Sequence, residues 1–228
     1  SVKSHSSSIS LEDAKKIKNF INNKNIKNEN IISVNKSIPN TKPQKKQQKN
    51  SEQLMTREEI IKIIAQKAEK YEYHIISTTG VASRELFEHR ADNNLSHDSD
   101  FLTVGGMGHA SQIALGIGMF AEEKNILCID GDGAYLMHTG GNAEIAARSV
   151  KKFKHIVINN GCHDSVGGQP TRANEIDLKK IASAFGYNVF PSSSTKIELG
   201  EVIDKFFTSK KCSFLEINAK PGFRKDLG

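Results

Sequence analysis

The sequence predicts an α/β fold, a parallel sheet with helices on both faces, and three observations carry that prediction. From Thr56 onward, short apolar runs alternate with amphipathic stretches of helical period, which is how strand-helix units read. The runs Ile126-Leu127-Cys128-Ile129 and His155-Ile156-Val157-Ile158 are almost continuously apolar, as strands covered on both faces are. Glycine- or asparagine-rich turns follow several of the runs, and in open parallel sheets ligands bind beyond the carboxyl ends of the strands.

The elements follow in order. Thr56-Arg57-Glu58-Glu59 is a capping box ahead of the apolar series Ile60, Ile63, Ile64 and Ala68, so a helix begins there. A strand at 73–77 leads into the turn Thr78-Thr79-Gly80 and a short helix through Leu86 and Phe87, which starts near Ser83 with Thr79 as its cap. A polar loop then runs to the glycine turn 105–108, and a helix is expected over 110–122. The strand 126–129 ends at Gly131-Asp132-Gly133, and a single helix is expected over 134–150. After the strand 155–158 come a helix at 176–185, a strand at 188–190, a helix at 197–207 and a strand at 213–217.

Residues 1–50 are of a different kind. They hold eleven lysines against three acids, a charge of +8, which leaves −2 for residues 51–228 out of the total of +6. The basic character therefore belongs to this segment. Rich in Ser, Asn, Lys and Gln, it has too little apolar surface to offset its ordering entropy, and it reads as a linker or tail with one short helix near Leu11 to Ile21. Phe20 is its only ring, so the aromatic platforms of single-strand binding are missing and nucleic acid is not expected as a partner. No apolar stretch reaches the roughly 18 residues of a membrane span, and the three cysteines, Cys128, Cys162 and Cys212, lack metal-ligand spacing. A reducing cytoplasm is the expected location. The first residue is Ser1 and not methionine, which is read as processing or excision from a longer chain.

The chemistry concentrates in Gly131-Asp132-Gly133 and Asn159-Asn160. Mg2+ takes near-octahedral oxygen coordination and uses one or two protein oxygens, with substrate phosphates and water completing the shell. Asp132 can supply a carboxylate, Asn160 an amide oxygen and Cys162 a backbone carbonyl. Gly131 and Gly133 would let the chain turn and approach a diphosphate, while the helix opening at Ala134 would turn its N–H groups toward the phosphates. GDG alone is as well explained as a tight turn. Its coupling to a second strand-end motif favours the metal site.

These residues resemble the cofactor-anchoring motif of thiamine diphosphate enzymes. Residues 78–90 (TTGVASRELFEHR), 105–109 (GGMGH), 131–138 (GDGAYLMH) and 158–171 (INNGCHDSVGGQPT) look, in order and spacing, like the phosphonopyruvate decarboxylase family. The likeness extends from about Met55 to Gly228. It implies the thiamine diphosphate-binding fold of the diphosphate-holding domain, with thiamine diphosphate and Mg2+ as cofactors. It also implies that Met107 props the bent cofactor, that the Gly105 carbonyl accepts from its 4′-amino group, and that Thr79 and Gly80 touch the diphosphate. The reaction implied is decarboxylation of 3-phosphonopyruvate to phosphonoacetaldehyde. His163 and Ser165 are the residues expected at the reacting substrate, with Gln169 and Thr171 nearby and Arg84 and Arg224 more distant. The adjacent His163 and Asp164 diverge and form no relay, and Ser165 and Gln169 could equally organise the loop.

Such enzymes also need a glutamate from a pyrimidine-binding domain, and nothing in residues 1–50 resembles one. A partner domain or subunit is therefore expected, the missing part either preceding Ser1 or standing on a separate chain. In the first case the basic segment is a linker reaching roughly 35 to 40 Å as a flexible coil. The intact enzyme would be a homo-oligomer. Two alternatives remain: a sulfopyruvate or other 2-oxo acid decarboxylase, and a non-catalytic phosphate-binding module, which would have no use for Gly105-Gly106-Met107 opposite GDG.

Overall fold

A computed structural model describes residues 12, 15, 54–148, 152–224 and 226. The chain divides into two units, Ser1–Gln44 and Lys45–Gly228. In the first, Glu12 and Lys15 are helical and exposed. The rest of the expected helix and the linker reading lie outside the described residues.

The second unit is built on six parallel strands in the order β2-β1-β3-β4-β8-β7. These are β1 (Tyr73–Ser77), β2 (Asp100–Leu102), β3 (Asn125–Gly131), β4 (Phe153–Asn159), β7 (Asn188–Val189) and β8 (Ser213–Asn218). A small antiparallel pair, β5 (Cys162–His163) and β6 (Gln169–Pro170), stands apart. The helices are α1 (Arg57–Lys70), α2 (Val81–Asp92), α3 (Ala110–Phe120), α4 (Asp132–Met137), α5 (Gly141–Arg148), α6 (Leu178–Phe185) and α7 (Lys196–Thr208), with a 3-10 turn at Asp164–Val166. Among the described residues, no helix is long and apolar enough to cross a membrane.

Local rules account for the helix starts. Thr56 and Glu59 cap α1 reciprocally, as Thr195 and Glu198 cap α7, each pair satisfying two backbone donors that a helix end leaves orphaned. Asp177 caps α6 through the amide of Lys180. Alternation along the central strands then divides the core between two faces. Leu127, Ile129, Ile156, Ile158, Leu215 and Ile217 pack with Ile60 and Ile64 of α1, Leu86 of α2 and Phe206 of α7. Cys128, Phe153, Val157 and Phe214 pack with Ala114 of α3, Ile145 of α5 and Leu178 of α6. Helices cover both faces, as the sequence predicts.

Three local expectations need correction. The single helix over 134–150 is two, α4 and α5, separated at His138-Thr139-Gly140. Thr139 turns its hydroxyl onto the carbonyls of Tyr135 and Leu136, and such a side-chain bond competes with continuation of the helix. Thr79 does not cap α2, whose N-cap is Gly80 at φ +99° without a side-chain bond. The Thr79 hydroxyl instead accepts from the amide of Gly105, 3.1 Å away. Within the polar loop lies β2, three residues on the sheet edge, too short for a periodic signal.

Candidate functional site

Four turns leave the carboxyl ends of neighbouring strands β2, β1, β3 and β4, and they frame a cleft lined by Thr78, Thr79, Met107, Asp130, Asp132 and Asn160, among others. Register explains the meeting of Gly131-Asp132-Gly133 and Asn159-Asn160. Gly131 stands beside Ile158 in the paired strands, so Asp132, at the start of α4, and Asn160, just past β4, emerge side by side. Two residues far apart in sequence thus line one cleft at adjacent strand tips.

Asp132 is buried, at 1% exposure. Burial raises its pKa above the ordinary value, while the Thr171 hydroxyl, the amides of Asp132 and Asn160, and His163 hold the shift back. Thr171 donates to Asp132 Oδ2, so the end of the GGQPT segment lies against the carboxylate and not out toward a substrate anion. Removing a carboxylate from water disfavours its charge unless a cation compensates, which is the electrostatic setting of a metal ligand.

Asn160 is oriented from both ends of its amide. Nδ2 donates to Asp164 Oδ2 at 2.6 Å, and Oδ1 accepts from the amide of Cys162 at 3.3 Å. The Cys162 thiol donates to Asp164 Oδ1 at 3.0 Å, and burial, then Asp164, push its pKa up to about 12. The sulfur therefore keeps its proton.

The glycines act differently from expectation. Neither Gly131, at φ −87°, nor Gly133 needs a left-handed backbone. At Gly133 a Cβ would stand 2.6 Å from Nδ1 of His163, so this position is glycine because an imidazole covers it. At Gly131 a Cβ would meet nothing within 4 Å, which is the open approach a phosphate needs. α4 has only six residues, so individual N–H groups at Gly133 and Ala134, rather than a long helix dipole, would meet an anion. In the glycine turn the constraint is conformational, with Gly105, Gly106 and Gly108 at φ +73°, +57° and +86°.

Of the expected site residues, Thr79, Met107, Gly131, Asp132, Gly133, Ala134, Asn160, Cys162, His163 and Ser165 line one cleft. Gly80 and Gly105 are not in its wall. Gly80 packs against Ser165, which a Cβ there would approach to 3.2 Å, and Gly105 is held by Thr79. Arg224 pairs with Asp226, Glu58 and Glu88, and Arg84 lines a neighbouring hollow with Phe87 and Val104.

Arg57, Thr78, Asp130 and Asp164 also line the cleft, and sequence reasoning gave none of them a place in the site. For Arg57 a signal existed: it falls on the buried stripe of α1 with Ile60, Ile61 and Ile64, and a charge at a core position calls for a partner. The Thr78 hydroxyl and Asp130 Oδ1 are buried without a hydrogen-bond partner, a costly state that a bound polar group would relieve. Free volume in the cleft is about 60 Å³, room for about two waters. That suits an ion and its contacts.

Beneath the cleft, Cys128, Asp130 and His155 are all buried, with their ligand-type atoms within 4.8 Å of one another. The contacts are those of a hydrogen-bonded network: His155 Nε2 lies 3.0 Å from Asp130 Oδ2, and the Cys128 thiol donates to the same oxygen at 3.7 Å. Burial pushes the Cys128 thiol well above its ordinary pKa, so it remains a thiol.

Comparison with known proteins bears on the family and the fold. Residues 77–217 match the family model described as thiamine pyrophosphate enzyme, C-terminal TPP binding domain. A phosphonopyruvate decarboxylase of Streptomyces viridochromogenes is 32% identical over 154 residues, which cover 68% of this chain and 37% of that protein. The sulfopyruvate decarboxylase subunit beta of Methanothermobacter thermautotrophicus is 36% identical over 115 residues, 50% of this chain and 59% of the relative. An X-ray structure of an enzyme described as thiamin diphosphate-dependent, from Mycobacterium smegmatis, matches with a TM-score of 0.58 at 17% identity, covering 73% of this chain and 32% of that one. The chain thus spans little more than a third of the phosphonopyruvate decarboxylase.

Proposed function

We propose a function on one premise: the chain belongs to the thiamine pyrophosphate enzyme family, through its C-terminal TPP binding domain. It is the diphosphate-binding half of a cytoplasmic, homo-oligomeric decarboxylase that converts 3-phosphonopyruvate to phosphonoacetaldehyde and carbon dioxide. The observation that carries this reading is that Asp132 and Asn160 line one cleft at the tips of the paired strands β3 and β4.

The residues fit the implied groups. A buried carboxylate, an amide oxygen and a backbone carbonyl are the hard oxygen donors that Mg2+ takes. Asp132, Asn160 and the Cys162 carbonyl would hold it. The open side of Gly131 and the amides of Gly133 and Ala134 would receive the diphosphate, with Thr79 and Gly80 beside it. Met107 would support the bent cofactor from the glycine turn, where an unbranched thioether fills an irregular gap. When bound, thiamine diphosphate supplies the electron sink for the pair of electrons left as carbon dioxide departs. His163, close over Gly133, and Ser165, beside Gly80, line the cleft, where each could donate to the substrate's anionic group or carbonyl. Gln169 lies across from His163 in the β5–β6 pair.

A pyrimidine-binding domain or subunit would complete the site. The test is carbon dioxide release from phosphonopyruvate, sulfopyruvate and pyruvate, measured for the chain alone and together with such a partner. Phosphonopyruvate should be preferred, and only in the completed enzyme; turnover by the chain alone would contradict the half-site reading. A sulfopyruvate decarboxylase is the second reading. It is favoured by the 80% of the Methanocaldococcus jannaschii subunit beta that the matched segment covers, at 29% identity, and preference for sulfopyruvate would establish it.

A further inference from the structure

Asp164 accepts hydrogen bonds from four groups at the cleft. Its Oδ2 accepts from Asn160 Nδ2 at 2.6 Å, from Arg57 Nη1 at 3.0 Å and from the amide of Gly222 at 3.2 Å, while Oδ1 accepts from the Cys162 thiol at 3.0 Å. Arg57 is itself buried and reaches back from Asp164 to Glu85, 2.9 Å from its Nε, and to the Gly222 carbonyl at 3.2 Å. Arg57 precedes the segment matched by the family model and Gly222 follows it. Two flanks of the chain therefore converge on one carboxylate beside the metal motif.

This arrangement has a chemical consequence for Asn160. An amide side chain presents oxygen on one side and NH2 on the other, and its two orientations have nearly the same shape. Only one of them offers an oxygen to a cation. A carboxylate accepts and cannot donate, so tying one side of the amide to Asp164 forces that side to be NH2 and turns Oδ1 away from it. Arg57 holds Asp164 in place, its Nη1 donating to Oδ2 at 3.0 Å. Arginine suits the task, because its planar fork can bond Glu85 and Asp164 at once.

We propose that Asp164 and Arg57 are positioning residues that set the amide of Asn160 oxygen-first for a divalent cation, making helix α1 part of the cofactor site. The inference rests on the proposed function, since it presupposes a cation at Asp132 and Asn160.

The test titrates the whole chain with Mn2+ in the presence of thiamine diphosphate, counting free Mn2+ by electron paramagnetic resonance. Asp164→Ala should weaken Mn2+ binding roughly 10–100-fold, the usual cost of removing a group that orients a metal ligand. Asp164→Asn, which keeps the shape and loses the charge, should show a smaller loss, as should Arg57→Gln. Glu85→Gln, which removes the arginine's other charged partner and leaves Asp164 on Asn160, should bind as the wild type does. A merely structural role would instead lower the unfolding midpoint of Asp164→Ala and Glu85→Gln alike without this split in affinity, and that result overturns the proposal. Should Asp164→Ala not fold, Asp164→Asn decides. The side-chain amide protons of Asn160, followed by NMR, should move upfield and lose exchange protection in that variant, and unmoved resonances overturn the proposal. Absence of Mn2+ binding by the wild-type chain would remove the metal site and this inference together. Equal affinity of the wild type and the Asp164 variants would remove this inference alone.

Discussion

On the face of the sheet covered by α1, α2 and α7, the central strands present Leu127, Ile129, Ile156, Ile158, Leu215 and Ile217. On the other face, covered by α3, α5 and α6, the alternate positions of the same strands carry Cys128 and Asp130, His155, Val157 and Asn159, and Phe214 and Glu216. There His155 meets Asp130 at 3.0 Å, and Asn159 donates to Glu216 at 2.8 Å. The first face is close to a pure apolar slab. Its exceptions are Ser77, Ser213 and Lys154, the last with an ammonium that donates to the carbonyls of Ser209 and Lys211 near the sheet's amino edge. The second grows more polar toward the carboxyl ends, where the cleft lies. Stability and function are thus divided by residue parity: one set of alternate residues supplies a dry core, and the other runs a hydrogen-bonded network up to the site.

The largest effect should come from the dry face. Phe206 is fully buried, edge-on to Phe190 and Phe207, and Phe206→Ala should cost about 3–5 kcal/mol, measured by chemical unfolding. A cost near zero would break the contrast between the faces. On the polar face, His155→Ala leaves Asp130 buried without its imidazole and should cost about 3 kcal/mol, whereas Asp130→Val with His155→Leu, which removes both partners, should cost much less than the single change. If the double variant is as unstable as His155→Ala, the polar network is itself a structural requirement.

At the cleft, Gly133→Ala should destabilise the chain by about 1–3 kcal/mol through overpacking against His163, and it should weaken cofactor binding in calorimetry. Adding His163→Ala should restore the stability, because the Nδ1 that a Cβ would approach to 2.6 Å is then gone. The last effect is one of pH and concerns Lys154, whose pKa burial pushes down to about 8 from the ordinary 10.5. A folded-state pKa below the unfolded one means that the unfolded chain binds more protons between those values. Stability from this group should therefore rise as pH climbs from about 8 toward 10.5, by up to about 1.4 kcal/mol per pH unit. The two carbonyls favour the charged form and reduce that slope. Unfolding of wild type and Lys154→Met at pH 7.5 and 9.5 isolates it: the balance should move toward the wild type at the higher pH.

What could be read before folding follows from what acts locally. The capping box of α1 sits where the sequence puts it because its partners are three residues apart; the same spacing at Thr195 and Glu198 caps α7, a signal the sequence reading passed over. The strands leading to Gly131 and Asn159 declare themselves by unbroken apolar runs. Where local reading failed, a signal was sometimes present: the pair Gly140-Gly141, after a threonine that bonds back to Tyr135, marks the break between α4 and α5. Elsewhere there was none. β2 exists because Asp100, Phe101 and Leu102 find an edge beside Ile75, Ile76 and Ser77, and a three-residue segment carries no period of its own.

The sequence by itself determined the layered architecture, the position of the metal motifs at strand ends and the family, because periodicity, turn residues and spacing are properties of neighbours along the chain. Only the tertiary structure decided that Thr171 belongs to Asp132, that His163 explains Gly133, and that Arg57 and Asp164 stand beside Asn160. Those relations join residues up to 107 positions apart, and a buried carboxylate or guanidinium takes whatever partner the packing brings within about 3 Å, which no local pattern encodes.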